Sequence, residues 1–221
     1  MNIRNIIKGI SLFRNLNEDQ VTFISSISTI EKYPIKSILY YESDVSNNFQ
    51  FLINGLIKVY KVDKFGNEIF LYHIYENSMI SELSSLDDSE IYCFSNAEFM
   101  EDSIILNVNF ERLQKHFLSK NILISELIEI LLEKTHQLQY IVNRELVFDA
   151  TAKVAFMLKQ ELHVFNKLKR QEVSFMLHIQ PETLSRVLKK LNRNKVITIE
   201  NNEVLIKDEE ALISIFKAIG I

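Results

Sequence analysis

The sequence predicts an α+β fold: a barrel or jelly roll of short antiparallel strands, then a long helix, then a small helical domain closed by a β-hairpin. Three observations carry this. From Tyr33 to Val108, apolar side chains alternate with a period of two, in short runs broken by turn residues. Residues 109–146 return to apolar steps of three and four. Arg170 to Leu191 then reads as two short helices joined by a tight turn, and an alternating segment bent at Asn201-Asn202 follows. A chain of 221 residues suits two small domains. The expected divisions are 1–108 for the strand-rich part with its leading helices, 109–147 for the long helix and 148–221 for the C-terminal domain.

Residues 3–30 are expected to be helical, with Ile3, Ile6, Ile7 and Ile10 on one face and Asn17 as N-cap of a second short helix before two acids. The expected strands are 36–42, 49–62, 68–74, 90–96 and 103–108, rich in Ile, Leu, Phe and Tyr. Turns needing positive φ are expected at Ile53-Asn54-Gly55 and Lys64-Phe65-Gly66-Asn67. In the long helix, Ile124, Leu127, Leu131, Leu138 and Ile141 fit a seam that Lys134 and Glu145 interrupt. A helix of about 35 residues would span roughly 50 Å, more than a small barrel can cover.

The C-terminal domain opens at Asp149, a fitting cap, with Ala150, Val154, Met157 and Leu158 as a packing face. Val173, Phe175, Met176 and Leu177 give the first short helix an apolar side, and Ser174 is small where its partner must cross. Pro181 suits the first position of the second helix. Leu184, Val187, Leu188 and Leu191 form its buried face, and Glu182, Ser185, Arg186 and Lys189 its opposite one. An ordinary solvated face, with Glu182 paired to Arg186, would read the same way.

A net charge of −4 does not favour nucleic acid until it is divided. Residues 1–148 carry −7 and residues 149–221 carry +3. Residues 165–196 alone hold eight cations against two acids, and phosphate binding requires such a local patch. The single cysteine, Cys93, excludes an intrachain disulfide and any multi-cysteine zinc or iron–sulfur site. No signal peptide and no run of about 18 apolar residues is present, so a cytoplasmic protein without a membrane span is expected.

RQEVSFML and PETLSRVLKKL together resemble the helix-turn-helix of the CRP/FNR family of bacterial transcription regulators, and the Glu-Thr-x-Ser-Arg string resembles its FNR-like and dissimilatory-nitrate-respiration branches. LFRNLNEDQV and the stretch from Phe51 to Leu83 are similar to the opening and to the cyclic-nucleotide-binding β-roll of the same family. The resemblance implies a β-roll sensor, a dimerisation helix through residues 120–146 and a winged helix whose wing is the 196–208 hairpin. It further implies a homodimer on double-stranded DNA with a TTGA–N6–TCAA-like palindrome, and contact with RNA polymerase if the protein activates. Base contacts are expected from Arg186 to guanine, Glu182 to the opposed cytosine and Ser185 to a flanking thymine. Phosphate contacts are expected from Arg170, Gln180, Thr183 and Lys189. His178 stands where the family usually has Gly, and Gln180 where it has Ser or Thr.

In the sensor, the resemblance implies an effector pocket at Glu82, Tyr92, Cys93, Leu138 and Gln139. The cyclic-AMP-binding branch holds the phosphate with an Arg-Ser pair, and Tyr92-Cys93 stand at that pair here. Tyr supplies no cationic fork, so cyclic AMP is not the expected effector. Four cysteines are missing for an iron–sulfur cluster. Haem-based nitric oxide sensing is the remaining family precedent, with His73, His116, His136 and His178 as candidate ligands. An effector-independent repressor and a redox role for Cys93 are the alternatives. No metal site or catalytic residue is expected: only His73 lies among the strands, against the ligand cluster of a jelly-roll metal enzyme, and no GxSxG elbow exists.

Overall fold

A computed structural model describes residues 2–217. Chain contacts divide it into two compact units, Met1–His136 and Gln137–Ile221. The division falls inside a helix, so residues 109–147 are shared between the units and are not a segment of their own.

In the first unit, helices α1 (Ile3–Gly9) and α2 (Glu18–Ser26) precede the strands. Asn17 caps α2 as expected: its side chain accepts from the Gln20 N–H while Gln20 reaches back to the Asn17 N–H. Ile6, Ile7, Ile10, Leu12, Phe13, Val21 and Ile24 are buried with Phe49, Phe51, Leu106, Val108 and Phe110, so these helices are part of the core. The strands are β1 (Ser28–Tyr33), β2 (Ile38–Tyr40), β3 (Val45–Ser46), β4 (Asn48–Asn54), β5 (Ile57–Val62), β6 (Glu68–Ile74), β7 (Ser78–Met79), β8 (Ile91–Tyr92), β9 (Asn96–Phe99) and β10 (Ser103–Asn109). They form two antiparallel four-stranded sheets, β1-β10-β4-β7 and β2-β9-β5-β6, and a ribbon β3-β8.

Three expectations for this unit change. The sheet begins at Ser28, not Tyr33. β1 is an edge strand with three exposed and three half-buried side chains, paired to β10 from Ser28↔Val108 to Tyr33↔Ser103, so its place rests largely on that ladder, with Ile30 and Tyr33 packed on the core. The run 49–62 is two strands in different sheets: Gly55 turns the chain at φ +111, and a Cβ there would run into Ser103. The run 90–96 breaks after Tyr92, where the Cys93 N–H turns to the Asp44 carbonyl and the Phe94 N–H to Glu82.

Residues 109–146 do not make one helix. α3 (Phe110–His116) is followed by a 3₁₀ turn at Leu118–Lys120, and α4 runs only from Ile124 to Leu146, 23 residues or roughly 35 Å. Asn121 and Leu123 adopt positive φ in the break, and Phe117, Leu118 and Leu123 are buried there, so local core packing overrides the helical spacing. The expected seam is also rotated. Leu127 is buried and Ile124 and Leu131 pack on the core of the first unit. On α4, Ile128 and Leu132 are exposed in the first unit, and Leu138, Val142 and Leu146 in the second, the last 81% exposed.

The second unit contains α5 (Ala150–Gln160), α6 (Leu162–Lys167), α7 (Arg170–Met176), α8 (Pro181–Arg193), strands β11 (Ile197–Glu200) and β12 (Glu203–Ile206), and α9 (Glu209–Lys217). Asp149 caps α5 through the Ala152 N–H at 2.8 Å. Phe165, Val173, Leu184, Leu191, Ile197, Val204 and Leu212 are each at most 1% exposed. Phe175, expected on the apolar side, is 46% exposed. β11 and β12 pair from Ile197↔Ile206 to Glu200↔Glu203. Asn201 and Asn202 both take positive φ between them, the requirement of a two-residue primed turn.

Candidate nucleic-acid interface

The geometry of α8 begins with how α7 ends. The His178 N–H donates to Phe175 C=O and the Ile179 N–H to Ser174 C=O, each at 3.1 Å, which closes the last turn with His178 at φ +51. Glycine usually takes this left-handed position, and histidine adopts it at modest cost. Ser174 is 2% exposed beneath the crossing. Pro181 opens α8 at its first turn, and Gln180, the N-cap, is exposed and makes no capping bond with its side chain.

Leu184, Val187, Leu188 and Leu191 are all 6% exposed or less and hold α8 down. Burial of each contributes about 1.5–3 kcal/mol. The opposite face carries an open groove of about 820 Å³ lined by Pro181, Glu182, Ser185, Arg186, Lys189, Lys190 and Arg193. Four cations face one acid there, in a chain that is acidic overall. Among the described residues, Glu182, Ser185, Arg186 and Lys189 make no side-chain hydrogen bond or ion pair, so Glu182 and Arg186 do not pair. Thr183 is half-buried at the edge of this face. Lys190 and Arg193 were missed in the sequence, although their spacing from Arg186 places them on the same side.

Arg170, expected at phosphate, is engaged within the chain. Its guanidinium donates to Phe165 C=O at 3.2 Å and to Asn202 C=O at 2.8 Å, and it lies 4.6 Å over the Phe165 ring. Partial burial lowers its pKa. Asn166 adds a reciprocal pair to the Val204 backbone, at 2.9 Å each way. These two side chains tie the hairpin to α6 and α7, and the guanidinium faces the hairpin turn through bonds that sequence spacing does not reveal.

In the sensor, Glu82 and Cys93 come together and Tyr92 does not join them. Glu82 accepts from the Phe94 N–H at 2.6 Å and the Ser95 hydroxyl at 2.8 Å. Burial, then the charges of Glu82 and Asp44, pushes the Cys93 thiol up to about 12. Burial, then Glu82, also raises Tyr72 and Tyr40. Because Ile91 and Cys93 point inward, the strand period sends Tyr92 outward, 45% exposed beside Val45. Leu138 and Gln139 belong to the second unit and are exposed on α4.

Lys134 was read as an interruption of the seam. Burial lowers its pKa to about 8, while the field of Glu82 raises it. The charge of Lys134 therefore acts together with that of Glu82. The histidines sit apart. His73 is buried against Phe70, His116 packs on Phe23, His136 is exposed and His178 is bonded to Glu145. Among the described residues no three metal-ligating side chains converge, and no helix is long and apolar enough to cross a membrane.

Comparison with known proteins agrees with this geometry. Residues 151–215 match the Crp-like helix-turn-helix domain. Among solved structures, FixK2 from Bradyrhizobium japonicum superposes with a TM-score of 0.67 at 16% identity, over 86% of this chain and 97% of that one. A CooA mutant from Carboxydothermus hydrogenoformans gives 0.67 at 19% identity, over 90% and 91%. A protein assigned to the transcriptional regulators of the crp/fnr family from Eubacterium rectale gives 0.65 at 14% identity, over 95% and 99%. No sequence among the curated proteins matches the chain.

Proposed function

We propose that this chain, with a Crp-like helix-turn-helix domain at residues 151–215 and the fold of CRP/FNR-family regulators along its length, is a DNA-binding transcription regulator and not an enzyme, and that it acts as a homodimer on a TTGA–N6–TCAA-like palindrome. One observation carries the reading: the outward face of α8 is cationic and its polar side chains have no partner within the described chain, while its leucine underside is fixed in the core. In this reading Arg186 takes guanine O6/N7, Glu182 accepts from the opposed cytosine and Ser185 meets a flanking thymine. Gln180, Thr183 and Lys189 contact phosphate, joined by Lys190 and Arg193. The exposed Ile128, Leu132, Leu138, Val142 and Leu146 support pairing of α4 with a second copy. Two readers about 34 Å apart then meet successive major-groove faces.

Cyclic AMP is not the proposed signal, because Tyr92 faces outward and Lys134 already shares the field of Glu82. Haem comes only from the family precedent; of its candidate ligands, His116 packs on Phe23 and His178 is bonded to Glu145. An effector-independent regulator is the alternative reading: Glu82 is already bonded to the Phe94 N–H and the Ser95 hydroxyl, and Tyr40 and Cys93 are buried in the core of the roll. RNA polymerase is a proposed partner only if the protein activates.

The test is equilibrium binding of wild type and Arg186→Ala to the palindrome and to a scrambled duplex across a salt series. Arg186→Ala is expected to cost about 1–3 kcal/mol on the palindrome and less on the scrambled site. Equal losses on both would make Arg186 a phosphate contact only. A Soret band after expression with haem supplementation would restore the haem reading; its absence would leave the effector-independent one.

A further inference from the structure

Glu145, in the last turn of α4, is the hub of a charged cluster that joins three elements of the second unit. It accepts from Arg144 Nε at 2.7 Å and Lys153 Nζ at 3.1 Å, and it is bonded to His178 Nδ1 at 2.8 Å. Lys153, on α5, also donates to the Leu177 carbonyl at 3.2 Å, just beyond α7. The side chains of Lys153, Arg144 and Glu145 are only 10%, 13% and 26% exposed. Burial raises the Glu145 carboxyl, but these partners outweigh it and hold the group at about 2, so it is ionised at neutral pH.

The placement matters more than the charge. Only Val147, Phe148 and Asp149 connect α4 to α5. Tyr140 of α4 and Phe148 of the link pack on the Phe156 ring of α5, with centroids 5.5 and 5.6 Å away, and so join the two helices. The cluster adds a tie that these rings do not supply, at the reader's own turn, because His178 is the residue that reverses the chain between α7 and α8. A bond to His178 therefore acts on the entry angle of α8. We propose that Glu145 is a positioning residue for recognition of two half sites: it locks the reader's turn to the end of the helix that meets the second copy, so the separation of the two recognition helices is set before DNA arrives. This rests on the dimeric, palindrome-binding reading above. Setting the separation in advance spares the ordering cost of binding and makes affinity depend on half-site spacing.

The experiment is fluorescence-anisotropy binding of the full chain to duplexes carrying two TTGA half sites with spacers of four, six and eight base pairs, and to a duplex with a single half site. Wild type, Glu145→Gln and His178→Asn are compared, with thermal unfolding followed in parallel. Asn keeps the left-handed turn accessible while withdrawing the ring. Glu145→Gln is expected to lose roughly tenfold on the six-base-pair spacer and to flatten the preference among spacers, with the single half site bound as before. His178→Asn should move in the same direction. Equal losses on every duplex, or a spacer preference that survives both substitutions, would overturn the proposal. Wild type without any spacer preference would overturn the palindrome reading beneath it.

Discussion

Arg170→Ala separates two roles that a basic residue at the start of a helix-turn-helix can play. Its guanidinium holds the Asn202 carbonyl at 2.8 Å and the Phe165 carbonyl at 3.2 Å, and rests on the Phe165 ring at 4.6 Å. Charged hydrogen bonds contribute about 1.5–3 kcal/mol when well buried. The Asn202 end is exposed, and water replaces the donor once it is gone. With the ring contact adding about 0.5–1 kcal/mol, the net loss of stability is about 1–3 kcal/mol. Urea unfolding followed by circular dichroism measures it. DNA binding is then measured as a salt series. A phosphate contact removed lowers the slope of log K against log salt by about 0.9. Anchoring the hairpin, without touching phosphate, predicts weaker binding at an unchanged slope. A slope reduced by about one, with stability unchanged, would refute the assignment and return Arg170 to the phosphate contacts.

Leu188→Ala removes a side chain that is 6% exposed under α8 and should cost about 2–5 kcal/mol in chemical denaturation, whereas the exposed Lys190→Ala should stay within about 0.5 kcal/mol. Glu145 links stability to acid. Its folded pKa of about 2 lies below the ordinary 4.5, so its contribution is present above pH 4.5 and is lost as pH falls towards 2. With a quarter of the side chain in water, the dry-pair value is discounted to about 1–2 kcal/mol, and the wild type's advantage over Glu145→Gln in thermal melts should shrink across that window. Cys93, with a thiol raised to about 12 and 6% exposed, should react with a thiol reagent at pH 8 about a thousandfold more slowly than an unfolded control; equal rates would revive a redox role.

What could be read from the chain in order was what neighbouring residues decide among themselves. Leucines three and four apart give α8 an underside in any packing, Pro181 starts it, Asn17 and Asp149 cap their helices, and Asn201-Asn202 bends the hairpin. Each depends on torsions and bonds within a few residues. The reader's outward face followed from the same local periodicity.

The tertiary structure decided everything set by residues far apart. Arg170 finds Asn202, 32 positions away, and His178 finds Glu145, 33 away, so neither role shows in spacing. On α4 the sequence offers enough apolar residues for more than one seam, and only the core of the first unit selects Leu127 and Ile130 for burial, leaving Ile128 and Leu132 outside. Tyr92 and Cys93 were taken together as pocket residues, but the pleat sends adjacent side chains to opposite faces, and burial of Cys93 put Tyr92 in solvent. Lys134 looked like a flaw in a seam until folding placed its ammonium in the field of Glu82. Local torsions are fixed by near neighbours, whereas a buried charge takes its meaning from whatever the fold brings to it.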